Sequence, residues 1–481
     1  LADPDLWGHV LFGKEIITSG SIPVVDPYSY TAYGHGWINH EWVSEVLMWL
    51  VFNTFGSPGL LIGKMLIGII VISIISVICF DRKVSYLSYG IVGVASVFII
   101  SPGFMIRPHL MTLLCTTLFF MVIYFYIEKK KKILWLLPLI MIFWVNSHGG
   151  FIIGAGILPV IFILEYIDCH LKKKDKIHLR GFIIWTIITE AAVLVNPYGY
   201  NLVIFIYETI TLPRSISEWE PVTLFDFSYL RLKIFSLCVI LAFFFKPHKN
   251  RYWEMGIILF SLIFAFIHQR HTPIFAIFAA PFLIEKSSMI ERTFNISQKG
   301  PSVFSRATLS LSLVFIIGFQ LAVTVDKHIK AKFNIIVNPE AYPVFALQFL
   351  KDNNIKGNLL VPFDWGEYAI WKLFPDNRVS IDGRFDTVYP VDVINDHFNG
   401  AGMEDAWHAL INKYPTDIIL ANKNPFSQRM ITQPLDEWIY IYSDNISIIF
   451  LRNSETMKDF ISRFKSKKLV YPDRELSVYF P

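Results

Sequence analysis

Charged residues are scarce in this 481-residue chain: Asp, Glu, Lys and Arg make up 17% of it against 54% hydrophobic residues, and the mean hydropathy is +0.47. So little charge excludes an ordinary water-soluble protein of this size and leaves a bilayer as the solvent. Cysteine is scarce too. Cys79, Cys115, Cys169 and Cys238 all fall in or beside apolar runs, which excludes a disulfide framework in the C-terminal part. There is no P-loop, no G-x-G-x-x-G, no H-E-x-x-H, no G-x-S-x-G and no paired C-x-x-C. P-loop nucleotide hydrolysis, Rossmann dinucleotide binding, zincin proteolysis and serine-hydrolase chemistry therefore lack their usual signals. Internal repeats and low-complexity segments are absent as well, and a formal net charge of +4 points to no nucleic acid partner.

What the chain has is apolar length. A bilayer core takes about 20 apolar residues per helix, and ten runs come near that: 58–80, 86–101, 110–127, 133–146, 151–168, 181–195, 231–246, 254–270, 273–285 and 308–325. The runs 133–146 and 273–285 are short, so they either extend further or form partial helices. Forty-two Phe residues suit helices that face lipid as well as one another. Alternate loops carry Arg82 and Lys83, Lys129 to Lys132, Lys172 to Arg180, Lys246 to Arg251, and Lys286 to Arg306, whereas the intervening loops offer little beyond Arg107, Arg214 and Arg270. The positive-inside rule puts the first set in the cytoplasm and both 1–57 and 326–481 outside it. Because the chain opens at Leu1 in polar, loop-like sequence, a further helix upstream is expected.

The expected fold is an α-helical polytopic membrane bundle with a C-terminal soluble α/β domain. Residues 1–57 form a first extracytoplasmic loop and an amphipathic, interfacial helix; 58–325 form the transmembrane domain; 326–481 form the α/β domain. In that domain a helical stretch, Tyr342 to Asp352, leads into strands at Asn358 to Pro362, Arg378 to Asp382 and Asp417 to Ala421, followed by a hairpin of Ile439 to Ser443 and Ile446 to Arg452.

Ionisable residues near hydrocarbon are functional pointers, and they gather at the outer ends of the runs. The first outer segment holds Asp3, Asp5, His9, Asp26, His35, His40, Glu41 and Glu45; later ones hold Arg107 and His109, Asn146 and His148, Glu218 and Trp219, and Arg270 and His271. All could contribute to one outer pocket. Asp3-Pro4-Asp5 puts two carboxylates two residues apart, a geometry that shares a divalent cation or a proton, but equally that of a solvated turn or a helix N-cap. The neighbours Leu6, Trp7 and His9 would desolvate the pair. Glu41 stands one turn before Glu45 and could simply favour a helix N-terminus. His148 before Gly149-Gly150 is either a ligand contact or a tight turn. Arg107 and Arg270 lie outside against the positive-inside trend, where a fixed cation suits an anionic phosphate, although Arg270-His271 could merely snorkel to the interface.

The run Asp3-Pro4-Asp5-Leu6-Trp7-Gly8-His9, with Gly20-Ser21-Ile22-Pro23, Asp26-Pro27-Tyr28-Ser29-Tyr30-Thr31, Trp37 and His40-Glu41-Trp42, resembles bacterial multi-pass membrane glycosyltransferases of the GT-C type, in the protein-mannosyltransferase-like superfamily. The likeness continues through Asn196-Pro197-Tyr198-Gly199 and Glu218-Trp219 to Asp364-Trp365-Gly366 and Asp382-Gly383-Arg384. It implies an essential acid in the first outer loop, hence Asp3 or Asp5 as catalytic residue with Glu41 next in line; the spacing of Asp3 and Asp5 leaves room for a divalent metal between them. The resemblance also implies a polyprenyl-phosphate sugar donor held in membrane lipid, an acceptor left unspecified, and an active site on the outer face of the bacterial plasma membrane. His9, His40, Arg107, His109, His148, Glu218, Arg270 and His271 are the expected substrate-binding residues. Asp364-Trp365-Gly366 with Tyr368 is loosely similar to the acceptor motif of oligosaccharyltransferases, but order and composition differ, so peptide recognition does not carry over.

Two function classes follow. One is a sugar transferase using a lipid-linked donor. The other is a transporter, or a non-catalytic partner in cell-envelope polysaccharide assembly. Transporters commonly carry two-fold repeats and broken helices at the midplane, and neither is visible here, which favours the enzyme.

Overall fold

The computed structural model describes residues 2–173, 177–211, 219–225, 227–294, 333–400, 410–432, 437–473 and 478–481. The chain falls into two compact units, Leu1–Leu61 with Lys330–Pro481, and Ile62–Ile329. Residues 1–61, legible in the sequence only as a loop and an interfacial helix, therefore pack as part of the same unit as the C-terminal sheet.

Helix α1 (Leu6–Ser19) ends where Gly20 takes a left-handed φ of 66°, a conformation that favours glycine. Helix α2 (Trp42–Asp81) is broken at Gly56, φ 64° and ψ −161°, two residues before Pro58. That break divides the interfacial stretch from the first apolar run.

The second unit continues with α3 (Tyr86–Ile100), α4 (His109–Lys129), α5 (Leu136–Val145), α6 (Phe151–Leu171), α7 (Ile177–Ala192), α8 (Tyr200–Thr211), α9 (Leu230–Phe244), α10 (Tyr252–Ile267) and α11 (Thr272–Thr293). Among the described residues five helical segments are long and apolar enough to cross a membrane, Trp42–Asp81, Tyr86–Gly103, His109–Lys129, Phe151–Leu171 and Gln269–Thr293, and the protein is a multi-pass membrane protein. The Gln269–Thr293 segment is 78% buried, whereas the more apolar α2 is only 28% buried and exposes Ile62, Leu66, Ile69 and Ile70. Apolar side chains left outward in this way require lipid. The short run 273–285 proves to be most of a 22-residue helix: it passes through Lys286, whose Nζ donates to the Phe245 carbonyl at 2.7 Å. Counting to the first charge truncated it. Run 133–146 does give a short helix, α5, and α8 had no counterpart among the runs. Run 308–325 lies outside the described residues.

One end of this unit is ionic. Arg82 meets Glu254 at 2.7 Å and Glu285 at 3.1 Å, Arg251 meets Glu285 at 2.7 Å and Glu128 at 3.1 Å, and Lys129 meets Asp81 at 2.9 Å. The segments joined here are those whose Lys and Arg the positive-inside rule assigns to one side. It follows that ionisable groups are not confined to one set of helix ends, as the sequence suggested; a second set forms ion pairs here, with Arg82 and Glu254 buried at its centre.

In the first unit α12 (Val344–Asp352) precedes β1 (Gly357–Leu360), α13 (Gly366–Leu373), β2 (Asn377–Val379), α14 (Val391–Gly400), β3 (Ile418–Asn422), α15 (Pro425–Thr432), β4 (Trp438–Ser443), β5 (Ser447–Arg452) and α16 (Lys458–Lys465). The sheet order is β2-β1-β3-β5-β4, with β2, β1 and β3 parallel and β5 and β4 antiparallel. Each strand expected from the sequence is present, with ends displaced by at most three residues, the largest shift being β2, which stops at Val379 and not at Asp382. Residues 28–30 run beside β2, Val379 N–H donating to Tyr28 O at 3.0 Å and Tyr30 N–H to Val379 O at 3.1 Å. This edge contact fastens the N-terminal segment to the sheet.

Candidate active site

The start of α1 decides what the Asp3-Pro4-Asp5 triplet does. Asp3 Oδ1 accepts the Asp5 N–H at 3.2 Å, a local turn of the kind aspartate favours. Asp5 occupies the N-cap position, yet its carboxylate makes no capping hydrogen bond. Its Oδ1 lies instead 2.7 Å from where a β-carbon on Gly383 would stand, and Glu367 Oε1 lies 2.7 Å from the same point. The two carboxyl oxygens are therefore no further apart than twice that distance.

Glu367 sits in the first turn of α13 and is 3% exposed. Three glycines give it room. A β-carbon on Gly8 would fall 2.2 Å from Glu367 Oε2, the atom that accepts the Gly8 N–H at 3.0 Å, and one on Gly366 would fall 2.2 Å from the Ile381 carbonyl oxygen. Gly383 is the third. Burial, and then the neighbouring charges of Asp5 and Asp382, hold the Glu367 carboxyl well above the usual carboxylate range.

Asp382 is fully engaged. It accepts Arg384 Nε at 2.8 Å and Nη2 at 2.6 Å and the Tyr389 hydroxyl at 2.6 Å, while Arg384 Nη1 reaches Asp26 at 2.7 Å. The Arg384 guanidinium also lies over the rings of Tyr28 at 4.8 Å and Trp37 at 4.9 Å. This ion cluster ties residues 26–37 to the segment that carries Gly383. Trp7, wholly buried against Tyr368 at 4.5 Å and Tyr342 at 4.8 Å, fixes α1 against α13 and the segment just before α12.

One turn beyond Asp5, His9 Nδ1 lies 3.4 Å from Glu45 Oε1 and 4.0 Å from Glu41 Oε2, and Asn39 Nδ2 donates to Glu45 Oε2 at 2.6 Å. His40 Nε2 stands 3.9 Å from Glu41 Oε1. Burial works against a charged His9, but the Glu45 hydrogen bond and the charges of Glu41, Glu45 and Asp5 outweigh it and raise the imidazole above its ordinary value. His9 thus stands among acids that favour its charged form, with Asp5 and Glu41 partly exposed and Glu45 and Glu367 buried.

In the second unit Trp144 Nε1 donates to Thr112 Oγ1 at 2.9 Å, and His148 Nδ1 lies 2.8 Å from that hydroxyl and accepts the Gly150 N–H at 2.9 Å. With Nδ1 accepting, the neutral ring keeps its proton on Nε2. The His109 ring is 6.4 Å from that of His148, and its Nε2 bonds the Gly103 carbonyl. Arg270 lies over the Trp219 ring at 4.6 Å, and that ring is 6.2 Å from His271. Arg107 is half-buried just before α4. Glu218 lies outside the described residues.

Of the residues nominated from sequence, Asp3, Asp5, His9, His40 and Glu41 come together in the first unit, and His109 with His148, and Arg270 with His271, in the second. Glu367 was not nominated. Its one signal was an acid inside Trp365-Gly366-Glu367-Tyr368, directly after a strand, where α/β domains place sites.

Glu367→Gln is expected to raise the unfolding midpoint over the parent protein by a margin that grows with pH. A carboxyl with a raised folded-state pKa holds its proton where the unfolded chain, near 4.3, has released it. Stability is therefore fullest below that unfolded value and falls as pH rises toward the folded one. Glutamine stays neutral and still accepts the Gly8 N–H. Melting curves at about pH 5 and about pH 8 check this, and a pH-independent margin would show that Glu367 carries no such proton.

No known protein family matches the sequence, and no curated protein matches it. Among solved structures, the archaeal oligosaccharyltransferase AglB from Archaeoglobus fulgidus, in complex with an inhibitory peptide and a dolichol-phosphate, is similar with a TM-score of 0.61 at 11% identity, covering 95% of this chain and 71% of that one. ArnT from Cupriavidus metallidurans, bound to undecaprenyl phosphate, gives a TM-score of 0.48 at 12% identity over 95% of each chain. The first likeness shows a GT-C-like fold, helical membrane bundle and C-terminal α/β domain together.

Proposed function

We propose that the protein is a membrane glycosyltransferase of the bacterial plasma membrane, moving a sugar from a polyprenyl-phosphate-linked donor to an acceptor outside the cytoplasm. The observation that carries this reading is the Asp5 carboxylate, set at a helix N-cap yet turned from the helix toward Glu367. The fold shared with an oligosaccharyltransferase that was solved with a dolichol-phosphate supports it. Two neighbouring acids in different surroundings are the arrangement that general acid–base chemistry uses. Glu367 is the one whose burial favours the protonated form. Asp5 takes the proton of the acceptor hydroxyl as its oxygen bonds the anomeric carbon; the bond from that carbon to the phosphate oxygen breaks, and polyprenyl phosphate leaves with inversion. Within the second unit, Arg270, the Nε2–H of His148 and Arg107 are donors of the kind an anionic phosphate takes.

A divalent cation such as Mg²⁺ or Mn²⁺ would take the hard carboxylate oxygens of Asp5 and Asp3, because a protonated Glu367 offers no ligand. Such an ion, when bound, supplies positive charge against a leaving phosphate.

The test is the full-length protein in proteoliposomes with radiolabelled polyprenyl-phosphate sugars and a cell-envelope acceptor fraction. Label passing to the acceptor with release of polyprenyl phosphate is the expected result. Intact sugar-lipid that crosses the bilayer without being consumed would establish the transport reading instead.

A further inference from the structure

Near the C-terminal end of α6, Glu165 and Cys169 stand four residues apart and so share one helix face. His178, in the first turn of α7, meets them. Its Nε2 lies 3.1 Å from Glu165 Oε1 and 4.0 Å from Cys169 Sγ, and that sulfur lies 3.7 Å from the same carboxylate oxygen. Tyr126 of α4 donates its hydroxyl to the His178 carbonyl at 2.6 Å and so fixes the backbone that presents the ring. Glu165 and Cys169 are buried, and the His178 side chain is 8% exposed.

Hydrogen bonds join the three pairwise, His178 to Glu165 and the Cys169 thiol to the same carboxylate oxygen. A metal accounts for all three. Zinc bonds of about 2.0–2.3 Å at tetrahedral angles separate their donor atoms by about 3.3–3.6 Å. The observed separations bracket that range, so small side-chain adjustments bring all three atoms onto one ion. One thiolate, one imidazole and one carboxylate form a donor set of mixed softness, which suits zinc and disfavours magnesium or calcium.

We infer that Glu165, Cys169 and His178 form a zinc site that clamps α6 to α7, with water in the fourth position. The thiol releases its proton to solvent as the sulfur binds, and the imidazole coordinates in its neutral form. The 21 residues of α6 separate this end from the His148 end by about 30 Å, so the metal is structural rather than a participant in chemistry there.

The experiment uses the full-length protein in lipid nanodiscs, purified on an affinity tag free of histidine and without chelator. One equivalent of zinc by elemental analysis is expected, and Co²⁺ exchanged in its place should give a thiolate-to-cobalt charge-transfer band with tetrahedral d–d absorption. Cys169→Ser should abolish the charge-transfer band, Cys238→Ser should leave it, and zinc should raise the unfolding midpoint of the parent protein alone. Should Cys169→Ser fail to fold, Glu165→Gln preserves the hydrogen bond to His178 while removing a ligand, and should weaken metal affinity at least tenfold. Absence of stoichiometric Zn²⁺ and Co²⁺ from the parent protein, or an unchanged cobalt spectrum in Cys169→Ser, overturns the site and leaves a His–Glu pair.

Discussion

Asp5→Asn is expected to lower sugar transfer by about 10²-fold or more, the usual loss when a general base goes, with little change in the unfolding midpoint. Asparagine keeps the shape of the side chain and removes its charge. Were Asp5 a helix cap, the substitution would be nearly silent, because asparagine caps as well as aspartate does. The Asp5 carboxylate makes no capping bond, and the local turn uses Asp3 as its acceptor. Asp3→Asn should accordingly have the smaller effect. Transfer and thermal stability measured on the same proteoliposome samples separate the roles: near-normal transfer by Asp5→Asn would move the chemistry to another acid of the cluster, Glu41 first.

Much of this fold was legible because two different solvents leave two different patterns. Long apolar runs mark lipid contact, and short apolar strands between turn residues mark a soluble sheet. Both patterns are local in sequence. What was not legible was long-range. Residues 26–37 look like an outer loop, and only the Arg384 contacts with Asp26, Tyr28 and Trp37 make them part of the C-terminal unit. The site shows the same division. Asp5, His9 and Glu41 were found because acids and histidines stand close together beside apolar sequence. Glu367 is some 360 positions away, and only the close approach at Gly8 and Gly383 pairs it with Asp5. Asp382-Gly383 does form the turn it looks like, and its backbone also makes room for two carboxylates. The Glu165–Cys169–His178 cluster was hidden for a further reason: its members lie on two helices and, taken singly, look like membrane-flanking residues.

Arg384→Met is expected to destabilise the first unit by about 3–5 kcal/mol, the range for removing one partner of a buried ion pair. Arg384 is enclosed by Asp382, Asp26 and Tyr389, and the loss leaves two carboxylates in low dielectric with one cation fewer. Both acids keep other hydrogen bonds: Asp26 accepts the Tyr28 N–H at 2.9 Å and the Ser29 N–H at 3.1 Å, and Asp382 accepts the Tyr389 hydroxyl at 2.6 Å. Those bonds soften the cost without removing it. Lysine is no substitute, since a point charge cannot reproduce the bidentate contact with Asp382 and the reach to Asp26 together. Unfolding of the full-length protein in nanodiscs, followed by tryptophan fluorescence, measures the effect. A cycle with Asp382→Asn isolates it: the double variant should be more stable than the two single losses added together, because the acid left unpaired in Arg384→Met is then neutral. Additive losses would show that Arg384 acts through its stacking on Tyr28 and Trp37 and not through its charge. In the ion-pair case limited proteolysis should also cut residues 20–37 faster in Arg384→Met, since the edge contact with β2 then stands without its anchor.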